Sequence, residues 1–209
     1  MKSLESIATS VVRTMTGMSG KPVDMLVILE RAGLTQKQRR RGYSVLNVLT
    51  GLGCVKRAKC AQYAWLGWKP LLELVERERL AGLSTPPQRH KLRNREWWAK
   101  RRTEDLAVDM VRVMAQSGRT LFTMSTLRNL MGMPDGLRTL YDVLNVFCAL
   151  GMVQKRARQQ SFKWSPEKAT VDFVVAEPVP GSLQWPLPIP SVTLEDETLS
   201  CFPVADEFL

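Results

Sequence analysis

The apolar positions of this chain fall first at helical spacing. Leu4, Ile7, Ala8, Val11 and Val12 recur every three or four residues, which predicts a helix from Leu4 to about Thr16, ended by the Gly17–Gly20 region. Lys21-Pro22 then opens a second helical stretch, Val23 to Ala32, with Gly33 as its stop signal. Thr35 has the character of an N-cap, and Gln38, three residues on, completes a capping box. The helix that follows, residues 36–52, divides into two sides. Taking about 100° per residue, Tyr43, Ser44, Asn47 and Gly51 fall on the side of Arg40, and Val45, Leu46, Val48, Leu49 and Leu52 form a wide apolar stripe opposite. Gly51 and Gly53 end this helix. Val55 begins an extended segment that returns through Tyr63 and Trp65, a two-stranded wing with Lys56, Arg57 and Lys59 before its bend.

The same pattern is written a second time. Arg40 to Val55 and Arg138 to Val153 are identical at nine of sixteen positions, where about one would match by chance, so the chain carries an internal repeat. The second copy predicts a helix from Glu104 to Gln116, a shorter one from Ser125 to Met131, and a third over 135–150 whose start suits Pro134-Asp135. Its wing runs from Val153 to Trp164 and carries Lys155, Arg156 and Arg158. Helix, helix, helix, hairpin is the order in both copies. The fold class expected is mainly α with small β wings: two tandem winged helix-turn-helix domains, 1–68 and 104–165.

A basic helical linker, 69–103, is expected between them. KPLLELVERERLAGL reads as a helix with an apolar edge of Leu71, Leu72, Val75 and Leu83, broken by Ser84-Thr85-Pro86-Pro87. The basic segment beyond it reads as a linker helix that packs Trp97 or Trp98 on a domain. From 166 to 209 the chain is Pro-rich and acidic without sustained periodicity, and mostly disordered structure is expected there.

Charge sharpens this division. The net charge of +10 splits into −7 for Ser165 to Leu209 and +17 for the rest, a polyanion-binding body with an acidic tail. No apolar run approaches the roughly 20 residues that span a bilayer, so no membrane partner is expected. The N-terminus reads as a first domain helix rather than a transit peptide. Cys54, Cys60, Cys148 and Cys201 show no paired spacing and His90 is the only histidine, so neither a metal site nor a disulfide framework is expected. His90 lies in the basic linker, and no acid pair, Gly-rich phosphate loop or cysteine with a catalytic partner is evident. The reading is no enzyme and no cofactor.

A helix-turn-helix lays the N-terminal part of its last helix against base edges in the major groove. In the first copy Lys37, Arg39, Arg40 and Arg41 cluster at that end. An arginine fork can donate to guanine O6 and N7 together. Arg41 lies about 100° from Arg40, toward the apolar edge. Tyr43 and Asn47, one and two turns on, suit contacts to phosphate or sugar, and the wing cations suit the backbone. Arg138, Tyr141 and Asn145 are their counterparts in the second copy, with Lys155, Arg156 and Arg158 on its wing.

Arg40-Arg41-Gly42-Tyr43-Ser44, with the helix that follows it to Gly53, resembles the Arg-Arg-x-Tyr-Asp signature of the E-two-F/DP cell-cycle transcription factors, as does the distance to Trp65. Arg138-Thr139-Leu140-Tyr141-Asp142 resembles it again. The resemblance covers about residues 3–66 and 104–165. It implies two winged helices side by side on a guanine/cytosine core, as in the atypical branch, where both domains lie in one chain and no DP partner is needed. It also implies a nuclear, sequence-specific regulator of cell-cycle or differentiation genes. Departures are Ser44 for the signature Asp, Gly42 for an apolar residue, and Thr139 for the second arginine, so the first domain is expected to supply most base readout. The partners expected are double-stranded DNA, a second copy or a DP-like chain, and a co-regulator for the acidic tail. In that tail Leu199-Ser200-Cys201 begins like a pocket-binding Leu-x-Cys motif, but Pro203 stands where Glu belongs. The rival reading is a tandem winged-helix scaffold that binds protein.

Overall fold

The computed structural model describes residues 3–18, 20–59, 61–84, 101–133, 138–156 and 161–166. Helix α1 (Leu4–Thr16) starts where the Ser3 hydroxyl accepts the Ser6 N–H at 3.1 Å, and it buries Ile7, Ala8, Val11 and Val12 completely. The second helix begins two residues later than the periodicity predicts. Val23 and Asp24 form a short strand, β1, paired with Tyr63 and Gln62. The Asp24 carboxylate then accepts the Leu26 N–H at 2.7 Å and starts α2 (Met25–Arg31).

Helix α3 (Gln36–Gly51) opens as expected, with the Thr35 N–H donating to Gln38 Oε1 at 3.1 Å. Val45, Leu46, Val48 and Leu49 are its fully buried stripe. The wing is β2 (Val55–Arg57) against β3 (Gln62–Trp65), with Val55 opposite Trp65 and Arg57 opposite Tyr63. Strand β3 lies between β1 and β2 in one antiparallel sheet.

After α4 (Lys69–Ser84) the order repeats: α5 (Thr103–Gln116), β4 (Leu121–Thr123), α6 (Met124–Met131), α7 (Arg138–Ala149), β5 (Val153–Arg156) and β6 (Ser161–Trp164). The second sheet has the same topology, with β6 between β4 and β5. The backbone repeats as well. Gly53 and Gly151 end the third helices in the left-handed region, at φ 76° and 74°, where a residue with a Cβ is strained. The start of the third helix at Pro134-Asp135, Arg158, the Trp97/Trp98 segment and the tail from 167 onward lie outside the described residues.

The two halves share one core. Helix α1 packs on α7, and α3 packs on α5, so the first helix of each half braces the last helix of the other. Helix α4, expected as the start of a linker, lies along α5. Its inward side is Leu71, Leu74 and Glu78 with Val75 half-buried, so Leu71 and Val75 of the predicted edge pack inward while Leu72 and Leu83 are exposed. Glu78 is 6 % exposed and accepts from Arg112 Nε at 3.3 Å and Gln116 Nε2 at 2.9 Å. A buried carboxylate needs such partners, and here they tie α4 to α5.

Candidate nucleic-acid interface

Helix α3 brings Arg40, Arg41 and Ser44, and α7 brings Arg138, Thr139 and Asp142, to one cleft of about 410 Å³, with Leu4 and Thr103 from the first helices completing its wall. The cleft joins the N-terminal half of α3 to the first turns of α7. Arg40 and Arg138 are exposed and Arg41 is half-buried, so the residue the helical wheel set toward the apolar edge does reach the cleft. Three guanidiniums face one carboxylate. Burial pushes the Asp142 carboxyl above its ordinary value, and Arg138 and Arg41 pull it back.

The other sequence-predicted residues separate into two groups. Lys37, Arg39, Lys56, Arg57, Lys59 and Arg156 are exposed and, among the described residues, form no ion pair. Asn47 is half-buried. Tyr43 packs partly on the core, and its counterpart Tyr141 is 51 % exposed. Burial first, and then the Tyr43 hydroxyl, push the Tyr63 phenol upward. Lys155 and Asn145 are engaged within the protein: Lys155 Nζ donates to Glu5 Oε2 at 2.7 Å and to Asn145 Oδ1 at 2.8 Å. Glu5 belongs to the first half, so this contact joins α1 to the second wing.

Sequence reasoning missed Asp142, Thr139 and Glu5 as parts of the site. The signature position of Asp142 was visible, but its place between arginines of both halves depends on the packing of α1 on α7. No group of three or more His, Cys, Asp or Glu able to hold a metal ion occurs among the described residues, and none of their helices is long and apolar enough to cross a membrane.

Three helices with a three-stranded sheet and cations at the third helix and hairpin make the first half a winged helix of the DNA-binding type. Residues 1–67 match the winged-helix DNA-binding domain of the E-two-F/DP family, a transcription-factor domain and not a catalytic one. Among curated proteins, the chain is similar to the E-two-F transcription factor-like protein E-two-FF of Arabidopsis thaliana, 28% identical over 191 residues, which is 72% of this chain and 54% of that protein. The chain thus spans about half the length of that relative. No solved structure matches.

Proposed function

We propose that this chain is a sequence-specific, double-stranded DNA-binding transcription regulator of the E-two-F/DP family, acting in the nucleus through two tandem winged helices. The observation that carries the reading is the convergence of Arg40, Arg41 and Arg138, from the third helices of both halves, on one cleft. Arginine forks at helix N-terminal turns are suited to guanine edges, which favours a GC-core element. The exposed cations Lys56, Arg57 and Lys59 of the first wing and Arg156 of the second suit the flanking phosphates. Each half already braces the other through its first helix. A DP-like chain or a second copy is therefore not needed to set two recognition helices side by side. Cell-cycle or differentiation genes are the target class, and the acidic tail is the segment for a co-regulator.

A gel shift of the full chain with GC-containing duplexes, against scrambled competitor, tests this. The GC duplex should resist competition. Equal displacement by the scrambled duplex, or no shift at all, would favour the protein-binding scaffold.

A further inference from the structure

Two acids hold matching places in the repeat: Glu5 and Glu104 are the second residues of α1 and α5, the first helices of the two halves. Two wing cations match as well, for Lys155 stands opposite Phe162 in the second sheet as Arg57 stands opposite Tyr63 in the first. The halves use them differently. Glu5 reaches across to the other half, where its Oε2 accepts from Lys155 Nζ at 2.7 Å, and the same ammonium donates to Asn145 Oδ1 of α7 at 2.8 Å. Glu104 and Arg57 form no ion pair among the described residues.

We infer that Glu5 is a positioning residue of the nucleic-acid interface: it holds Lys155 of the second wing, and through it Asn145 of the second recognition helix, back from the phosphate backbone. The inference rests on the DNA-binding reading. An ammonium has three protons to donate, and two of them are committed here within the protein. A phosphate oxygen must displace a carboxylate to take one. That carboxylate lies in the first turn of α1, where the helix dipole favours its charged form. The first wing carries no such restraint on Arg57. The inequality of the two halves therefore extends from the third helices to the wings, and it is imposed on the second half by a residue of the first. Since a phosphate contact carries no sequence information, the restraint lowers affinity for every duplex alike.

The test measures wild type, Glu5→Gln, Lys155→Ala and the double variant on a GC-core duplex and a scrambled duplex over a series of salt concentrations. Thermal melting checks that each variant is folded. Glu5→Gln removes the charge at nearly constant size and should bind both duplexes more tightly, on the order of tenfold at 0.1 M salt, the scale of one added phosphate contact. Its slope of log affinity against log salt should steepen by about 1, and the ratio between the two duplexes should stay as in wild type. With Lys155→Ala already present, Glu5→Gln should bring no gain and no change of slope. Unchanged or weaker binding by a folded Glu5→Gln protein overturns the inference. An equal gain with and without Lys155 also overturns it, because the acid would then act only through its general charge. A wild-type chain that binds neither duplex overturns this inference together with the DNA-binding reading.

Discussion

The backbone of Gly51, in the last turn of α3, lies directly against the Glu104 carbonyl in the first turn of α5. A Cβ at Gly51 would overlap the Glu104 oxygen and approach its C and Cα to 2.8 Å. This is main chain against main chain, so no side chain can rotate aside. The glycine placed on the outward side by the helical wheel is a point of close main-chain contact between the two halves.

Gly51→Ala is accordingly expected to destabilise the protein. Helix propensity alone would favour alanine by about 1 kcal/mol, whereas overpacking costs about 1–3 kcal/mol and here acts on a rigid backbone. Denaturant unfolding should show a lower midpoint for the variant. A midpoint equal to or above that of wild type would mean that α3 and α5 are not held this close. The equivalent residue of the second half is Ala149, so the glycine is not repeated at the matching position.

Lys155 should behave differently from the free cations of the first wing. Its ammonium is held by Glu5 and Asn145, whereas Arg57 is exposed and unpaired among the described residues. Losing one phosphate contact lowers the slope of log affinity against log salt by about 1. Arg57→Ala should show that change and Lys155→Ala should not. In stability measurements, Glu5→Gln and Lys155→Ala should be non-additive by up to about 1 kcal/mol, the range of an exposed ion pair. Additive effects, with a reduced salt slope for Lys155→Ala, would return Lys155 to the phosphate-contacting set.

The salt dependence of the wild-type chain is a further expectation. Contacts to about six to eight phosphates predict a slope between roughly −5 and −7. A slope near zero would mean that the exposed cations do not reach the backbone.

Burial pushes the Cys54 thiol up from 9.0 to about 12. Below pH 9 the thiol is protonated in the folded and unfolded chain alike and contributes no pH dependence. Between pH 9 and 12 the unfolded chain releases the proton and the folded chain holds it, so stability falls as pH rises. Unfolding monitored across that range should show a shallower decline for Cys54→Ala than for wild type. In alkylation mapped by mass spectrometry at pH 8, Cys54 should react only on unfolding; rapid reaction in the native protein would contradict its burial.

Much of the fold is legible in the sequence because its signals are local. The capping pair Thr35 and Gln38, the stripe from Val45 to Leu49 and the turn at Gly53 each involve residues within a few positions of one another. Strands β1 and β4 are not legible, since two or three residues carry no period and the pairing partners lie about forty positions away. The inward side of α4 is legible only in part, for a related reason. Glu78 reads as a solvated charge until Arg112 and Gln116 of α5 are beside it.

Gly42 makes the same point. Its position is apolar in the resembled signature and is the buried Leu140 in the second half. Around Gly42 the space is filled from outside the helix, for an added Cβ would lie 2.5 Å from Leu29 Cδ2 and 2.9 Å from Leu34 Cδ1. The departure from the signature is offset by two leucines that no local pattern connects to it. At the cleft, the arginines were legible from their cluster at the helix start. Asp142 gained its place only from the packing of one half on the other.

In the proposed reading both third helices contact one DNA site, and the first half dominates because it presents Arg40 and Arg41 where the second presents Arg138 and Thr139. The most direct measurement is quantitative binding of Arg40→Ala and Arg138→Ala to a GC-core duplex and to a scrambled one. Both variants should lose affinity for the GC-core duplex, and Arg40→Ala should lose the larger part of the specificity ratio. Equal losses of specificity would contradict the asymmetry, and no loss in either variant would contradict the claim itself.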